Sequence, residues 1–517
     1  ETDPKKKGSY YLVNSRSDRF DGNLTLAYNK TIDKHMLNVG VGSNIMQSET
    51  EGESFTGVGF INPDMIFIGA ANAFQENTSP QGTYDKSRLV GFFTNVNYGY
   101  GNRYFLDFSF RSDGSSKFGR NSRFAPFWSL GVAWNVHNES FWHAHEKNAL
   151  KLRASVGSTG TTNFSSTQAL TTYLYDFSRE YNGNFGVSLA GYGNSSLKWQ
   201  TTLSYNVGVD FTFLHGLVVF NGDFYIKNTR SLLLPVTVAP STGFIDYVEN
   251  IGKLRNTGVE ARLRFNLIQD AVKDLRWNVT LSAFHNRSKI TQLSNQLETI
   301  NQYANDDRAN QGTVVYRQFE AGRSQTALMV VRSGGIDPAT GNEIYIKRNG
   351  EMTFEYNHND KIECGDMKPK IEGNVNTNLN WKGFNLYMLF KYQYGGKIYN
   401  ATLASKVEGV NPLKNADKRV LYDRWKEPGD HAKFRRIDDT SAPYQTTRLV
   451  FDNNLLALQS VSLSYELPRK ISQKMYMERV KLLLSSTDLF RLSSVKQERG
   501  TSYPFARTFS IGLNVTF

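Results

Sequence analysis

The strongest pattern along the chain is a period of two. From Tyr205, the residues Val207, Val209, Phe211 and Phe213 alternate with Asn206, Gly208, Asp210 and Thr212, which makes one apolar and one polar face. The alternation returns at Val259, Ala261, Leu263, Phe265 and Leu267, interleaved with Glu260, Arg262, Arg264 and Asn266. It returns again where Val375, Thr377, Leu379 and Trp381 alternate with Asn374, Asn376, Asn378 and Asn380. Extending this pattern predicts fifteen strands, near 20–29, 33–47, 88–99, 103–111, 125–136, 150–157, 199–213, 216–227, 257–268, 275–285, 370–381, 383–394, 455–466, 478–488 and 505–517.

A soluble sandwich alternates too, so the pattern alone does not separate a core-facing stripe from a lipid-facing one. The connections separate them. Very short links run from Asn29 to Asp33, Gly99 to Asn102, Phe213 to Gly216 and Asn380 to Gly383, while others span roughly 48–87, 158–198, 228–256, 286–369 and 395–454. Loops that long are uncommon inside a compact soluble domain. In outer-membrane barrels, short turns face the periplasm and long loops face outside. Aromatic rings gather at the short turns, as Tyr98, Tyr100 and Tyr104 around one and Trp381 and Phe384 around another, where a half-wet ring suits a membrane interface. The expected fold is therefore all-β, a transmembrane antiparallel β-barrel.

Composition agrees with a barrel and excludes a helical membrane protein. Mean hydropathy is −0.47, yet the chain holds 27 Tyr and 34 Phe. No apolar run approaches the ~20 residues that a membrane-crossing helix needs. The net charge of +12 is dispersed, with no basic run longer than Lys5-Lys6-Lys7, so nucleic acid is not an expected partner. Such charge suits loops facing lipopolysaccharide or ligand. The single Cys364 rules out an internal disulfide framework and reads as structural filler.

Fifteen is an odd number, whereas single-chain bacterial barrels have an even one because both ends lie in the periplasm. If Phe517 is periplasmic, the first strand runs downwards, residues 1–19 are the remnant of an external loop and 20–517 are a C-terminal part of the barrel. No secretory leader precedes Glu1, so an upstream portion is expected.

Ordered short segments carry a family resemblance. They are Ser196 to Thr202, Tyr205 to Phe211, Asp223-Phe224-Tyr225-Ile226-Lys227, Leu232-Leu233-Leu234, Ser241-Thr242-Gly243-Phe244, Glu249-Asn250-Ile251-Gly252 and Asn256-Thr257-Gly258-Val259-Glu260. Leu150 to Ser155 with Gly157 and Thr159-Gly160 lie upstream, and Arg424-Trp425 with Pro428-Gly429 downstream. Ser462 to Pro468, Asp488-Leu489-Phe490, Tyr503-Pro504 and Arg507-Thr508-Phe509 complete the series, with Asp488 where the family usually has Asn. From about residue 85 onward the chain resembles the barrel of SusC/RagA-type TonB-dependent outer-membrane transporters of the Bacteroidota.

That resemblance implies a nutrient importer whose barrel is closed by an N-terminal plug, contacted by TonB and covered outside by a SusD-like lipoprotein. Such transporters have 22 strands, so the fifteen would be the eighth to the twenty-second. Neither a plug nor a TonB-contacting segment is found in the sequence, so both would belong to a missing N-terminal part. The implied cargo is a glycan fragment or an oligopeptide, moved without covalent chemistry or cofactor. A passive porin and a surface adhesin or assembly scaffold are the rival readings.

Candidate sites are few. His143, His145 and Glu146 follow Phe141-Trp142 on a short-turn connection, and without a third ligand type nearby they read as a solvated turn rather than a metal site. Gly334-Gly335-Ile336-Asp337-Pro338 through Gly341-Asn342 superficially resembles a calcium or phosphate loop but lacks ligand spacing, which leaves turn chemistry. Ser155 to Thr162 has no lysine in phosphate-loop position and reads as a loop entry. Tyr173, Tyr175 and Tyr181 are candidate substrate platforms on the 158–198 loop. Phe509, Ile511, Leu513, Val515 and Phe517 form a last strand that ends in an aromatic and resembles the signal read by barrel-assembly machinery. With the first and last strands both running downwards, they would meet in parallel, so each is expected to pair with a strand outside this sequence.

Overall fold

The computed structural model of the chain describes residues 8–60, 62, 64–65, 67–75, 80–119, 122–144, 146–161, 168–237, 246–250, 252–293, 319–411, 413, 415–496 and 506–517. One large antiparallel sheet dominates it. Its strands are β1 (Ser9–Ile32), β2 (His35–Val58), β3 (Gln81–Tyr100), β4 (Tyr104–Ser115), β5 (Phe124–Asn135), β6 (Ala149–Thr161), β7 (Gln200–Phe213) and β8 (Val218–Arg230). It continues through β9 (Lys253–Asp270), β10 (Leu275–Gln292), β11 (Ile371–Trp381), β12 (Phe384–Tyr394), β13 (Leu455–Glu466), β14 (Arg479–Ser493) and β15 (Thr508–Thr516). Each pairs with its neighbour in chain order, and a short piece at Ala73–Phe74 pairs beside β2. All fifteen expected strands are present in the expected order. Among the described residues no helix is long and apolar enough to cross a membrane.

Most strands that differ from expectation run longer, whereas β15 covers only Thr508–Thr516 of the expected 505–517. The β1–β2 ladder runs unbroken from Ser9 opposite Val58 to Ile32 opposite His35, so residues 9–19 are strand and not loop, as are 48–58. These arms carry Arg16 opposite Glu51 and Asp18 opposite Glu49 on one face and Arg19 opposite Ser48 on the other. They have no apolar stripe, and so the period-two signal fades although the hydrogen-bond ladder continues. A strand of 24 residues also exceeds the ~9–11 that a bilayer crossing requires. Ser155 to Thr161 likewise extend β6 rather than opening a loop, and Thr162 lies outside the described residues.

Short turns collect at one end of the sheet. The link between β11 and β12 is Lys382-Gly383, with φ of 44° and 85° between the paired Trp381 and Phe384. Two successive positive φ values define the type I′ turn that matches strand twist, and glycine takes the second at no steric cost. Aromatic rings line this end as expected. Tyr104 stacks on Trp134 with centroids 6.5 Å apart, Phe384 stacks on Tyr465 at 4.2 Å, and a His35 ring nitrogen lies 2.8 Å from the Tyr98 hydroxyl.

The fully buried side chains are concentrated outside the sheet wall, whose two faces are both open. Leu197, Leu328, Met329, Val330, Val331, Val407 and Leu449 come from the long connections, and Phe118 from the link between β4 and β5. The segments expected as loops 286–369 and 395–454 contain a folded cap. In it, strands Met352–Thr353, Glu343–Ile346, Ala327–Ile336 and Lys361–Asp366 pair in that order, and Lys397–Tyr399 pairs with Val450–Asp452. Leu328, Val330, Tyr399, Ala404 and Leu449 pack together between these segments.

Candidate functional site

The polar face of the wall converges on Arg153. Register places Arg153 on β6 opposite Gly208 on β7, which in turn lies opposite Asp223 on β8. The guanidinium donates to Asp210 through Nε at 2.8 Å and Nη2 at 3.1 Å, and to Asp223 through Nη1 at 3.1 Å and Nη2 at 3.2 Å. Asn221 donates to Asp210 at 2.8 Å and Asn206 to Asp223 at 3.2 Å. Gly208 makes this possible, since a Cβ there would stand 2.5 Å from Asp223 Oδ1 and 2.7 Å from Arg153 Nη2. The group tiles the polar face of three adjacent strands, opposite the apolar stripe formed by Val207, Phe224 and Val259.

The second constellation closes the cap from within. Arg448 donates to Glu343 (Nε to Oε1 3.1 Å, Nη2 to Oε2 2.9 Å) and to Glu408 (Nη1 to Oε2 3.0 Å, Nη2 to Oε1 2.8 Å). Arg435 adds a donor to Glu408 Oε1 at 2.8 Å and another to Asp439 at 2.6 Å, while the Thr446 hydroxyl donates to Glu343 at 2.7 Å. Arg424 ties the backbone in, donating to the carbonyls of Arg435 at 2.9 Å and Glu408 at 3.3 Å, and to that of Val407. Buried ions survive only when paired and hydrogen-bonded in this manner. Burial alone would raise the Glu408 carboxyl, but Arg448 and Arg435 hold it below the ordinary carboxylate range.

This shift has a sign. A carboxyl held low contributes stability that is fully present above its unfolded value of about 4.3 and is lost as pH falls through the folded one. Hydrogen exchange across residues 397–408 is therefore expected to stay slow at neutral pH and to accelerate on acidification below about pH 4 before the barrel strands do so. Equal acceleration in cap and wall would contradict this.

Two motifs read separately in the sequence are brought together by the cap. Trp425 Nε1 donates to the Pro338 carbonyl at 2.9 Å, and the Gly429 backbone N–H donates to the same oxygen at 2.8 Å. The Asp337 to Asn342 segment is a turn as expected. Asp337 accepts from the Thr340 hydroxyl at 2.6 Å, the Thr340 N–H at 3.1 Å and the Ala339 N–H at 3.3 Å, and the Thr340 hydroxyl together with these N–H donors holds its carboxyl low. Gly341 there has φ of 72°, and a Cβ on it would lie 2.6 Å from the Trp425 ring. Gly341→Ala is expected to cost about 1–2 kcal/mol through the left-handed backbone and this clash, and to lift Trp425 off Pro338. Faster exchange confined to the residues around Trp425 would show it, and an unchanged profile would refute it.

The predicted site residues fall in different places. Tyr173 lies in strand Thr172–Tyr181, which pairs with Asn184–Gly191 in a separate hairpin, and its side chain is exposed. Tyr175 and Tyr181 belong to the same strand by backbone pairing, opposite Val187 and Asn184, and their side chains lie outside the described residues. On β15, Phe509, Ile511 and Leu513 are exposed and Val515 is half-buried, opposite Val480, while Phe517 is exposed just beyond the strand. His143 Nδ1 lies 2.7 Å from its own turn's Phe141 carbonyl, and His145 lies outside the described residues. Among the described residues no group of three or more His, Cys, Asp or Glu is placed to hold a metal. Cys364 packs against the cap core, donates to the Leu328 carbonyl at 3.2 Å and has its thiol pushed up to about 11 by burial, a structural role rather than a reactive one. Ser241 to Phe244, Ile251, Tyr503 and Pro504 also lie outside the described residues.

Residues 3–342, most of the strands of the wall, match the family model described as TonB dependent receptor-like, beta-barrel. The chain belongs to this family. It is 26% identical over 536 residues to TonB-dependent receptor P3 of Formosa agariphila, a match covering 95% of this chain and 52% of that protein. To TonB-dependent receptor SusC of Bacteroides thetaiotaomicron it is 27% identical over 333 residues, covering 62% of this chain and 32% of SusC. The solved RagAB peptide transporter superposes with a TM-score of 0.85 at 22% identity, covering 98% of this chain and 56% of that one. The SusC/RagA type read from the sequence is thus borne out. The chain spans about half the length of the curated relatives it matches. TonB-dependent receptor barrels are outer-membrane proteins, so the apolar stripe of the wall faces lipid and its polar face the lumen.

Proposed function

We propose that this TonB-dependent receptor barrel imports a bulky nutrient, a glycan fragment or oligopeptide, across the outer membrane together with a SusD-like surface lipoprotein. TonB contact and the plug would be supplied by polypeptide outside this sequence. The observation that supports the reading best is the cap, because loops held by a buried ionic core form a shaped surface at the long-loop end instead of a loose fringe. A partner or a large ligand gains affinity from such preorganisation. The RagAB peptide transporter among structures of the same fold supports a peptide, and the family resemblance of the sequence admits a glycan fragment as well.

The test is purification from gently solubilised outer membranes, followed by uptake measurements in cells with and without functional TonB. A co-purifying lipoprotein and uptake that stops without TonB are expected. Flux that continues without TonB would favour a passive porin. Retained cell-surface protein binding with no uptake at all would favour an adhesin or assembly scaffold. Mass spectrometry of material bound in the lumen would distinguish glycan from peptide, and Tyr173, Tyr175 and Tyr181 are the first residues to substitute once a ligand is in hand.

A further inference from the structure

The outward face of β10 changes character part-way along. Its positions read Trp277, Val279, Leu281 and Ala283, and then His285, Arg287 and Lys289. Pairing fixes the parity, because His285 lies opposite Val259 and Leu281 opposite Leu263 on the lipid-facing stripe of β9. On β9 the same face continues beyond Val259 into Thr257, Arg255 and Lys253. From the short-turn aromatic Trp277 to His285 the strand rises roughly 27 Å, or about 20 Å along the membrane normal at the usual tilt. That is close to the apolar band of ~25 Å on such barrels. The cations therefore begin where lipid tails end, on the long-loop side.

Immediately above this boundary is a cavity of about 670 Å³ whose lining includes Arg287, Lys289, Arg323, Lys368, Lys370 and Lys397. Its carboxylates are Glu363, Asp366 and Asp452. Arg323 is taken by Glu320 at 2.5 Å and Glu363 at 2.8 Å, and Lys397 by Asp452 at 2.7 Å. Asp366 accepts from the Thr326 hydroxyl at 2.6 Å and from the Lys368 backbone N–H at 2.9 Å. The side chains of Arg287, Lys289, Lys368 and Lys370 form no ion pair among the described residues. Four cations in one recess with no ion-pair partner among the described residues make a site for a multiply charged oxyanion, with an arginine fork and lysine point charges as phosphate requires.

We infer that this recess binds the phosphorylated headgroup of an outer-leaflet glycolipid. A soluble nutrient reaches the barrel through the lumen, on the other face of the wall, whereas His285, Arg287 and Lys289 line the recess from the lipid-facing parity of β10. Its phosphate therefore arrives tethered to acyl chains lying along Leu281, Leu263 and Val259. The site belongs to the wall and is independent of which cargo passes through.

The test uses the full-length transporter, delipidated and reconstituted, with phosphorylated lipid A and its enzymatically dephosphorylated form as probes. Binding is expected to favour the phosphorylated form by about tenfold or more, and the variant Arg287→Gln, Lys289→Gln, Lys368→Gln, Lys370→Gln to lose that preference while nutrient uptake continues. If this variant fails to assemble, the pair Lys368→Gln, Lys370→Gln, both outside the strand ladder, is expected to lose about threefold. Equal binding of both lipids by the unaltered protein, or undiminished preference in an assembled variant, would overturn the inference. So would inorganic phosphate binding that lipid A fails to displace, or a variant that keeps the lipid but sheds a lipoprotein partner.

Discussion

Replacing Arg448 by Met is expected to release the cap while leaving the barrel wall assembled. The Arg448 side chain is 10% exposed and its partners Glu343 and Glu408 are 1% and 0% exposed, so the change leaves buried Glu343 with no cation and Glu408 with Arg435 alone. Removing one partner of a buried ion pair costs about 3–5 kcal/mol, mostly because the remaining charge is left uncompensated. The loss falls on elements far apart in sequence, since Glu343 sits in a cap strand, Glu408 ends the helical turn Ala404–Glu408 and Arg448 precedes the strand Val450–Asp452. Proteolysis between residues 319 and 454 should become rapid while the mobility of the unheated barrel on detergent gels is preserved. The triple change Glu343→Gln, Arg448→Met, Glu408→Gln should recover part of the loss, because it leaves no orphan charge. An Arg448→Met protein with full protease resistance would show that the ionic core does not hold the cap.

The wall was legible in the sequence and the cap was not, for a physical reason. A lipid-facing strand must alternate, so Val207 to Phe213 and Val259 to Leu267 announce themselves within a window of a few residues. The ionic core joins Glu343 to Arg448 across more than a hundred positions, and its members look locally like any solvated charge. Arg424-Trp425 stands out in the sequence, but nothing near it points to Pro338, the carbonyl on which Trp425 docks. Strand ends were underestimated where the stripe stops and pairing continues, as at Ser9 to Arg19 opposite Ser48 to Val58. The recess above β10 lay within the same blind region. Arg287 and Lys289 read as the start of a loop, because an alternating strand was expected to end when its apolar residues did.

The remaining expectation concerns the two edges of the sheet. Among the described residues β1 pairs with β2 and β15 with β14, and no pairing joins β1 to β15. Strand parity explains it, because fifteen antiparallel strands leave the first and last pointing the same way. A parallel seam is foreign to an up-and-down barrel. Inside lipid, each unpaired backbone group costs several kcal/mol, so a sheet with two open edges is not a stable membrane state. Both edges are therefore expected to be covered by strands outside this sequence, with Phe509 to Phe517 against one of them. Expressed alone, the 517-residue chain should fail to yield a folded, heat-modifiable barrel, and co-expression of the upstream part should restore it. Disulfide trapping in a Cys364→Ser background adds a direct measurement, in which Leu26→Cys on β1 and Leu513→Cys on β15 should not cross-link to each other in the full-length protein. A strong cross-link between them, or a protease-resistant pore formed by this chain alone, would mean that the fifteen strands close on themselves after all.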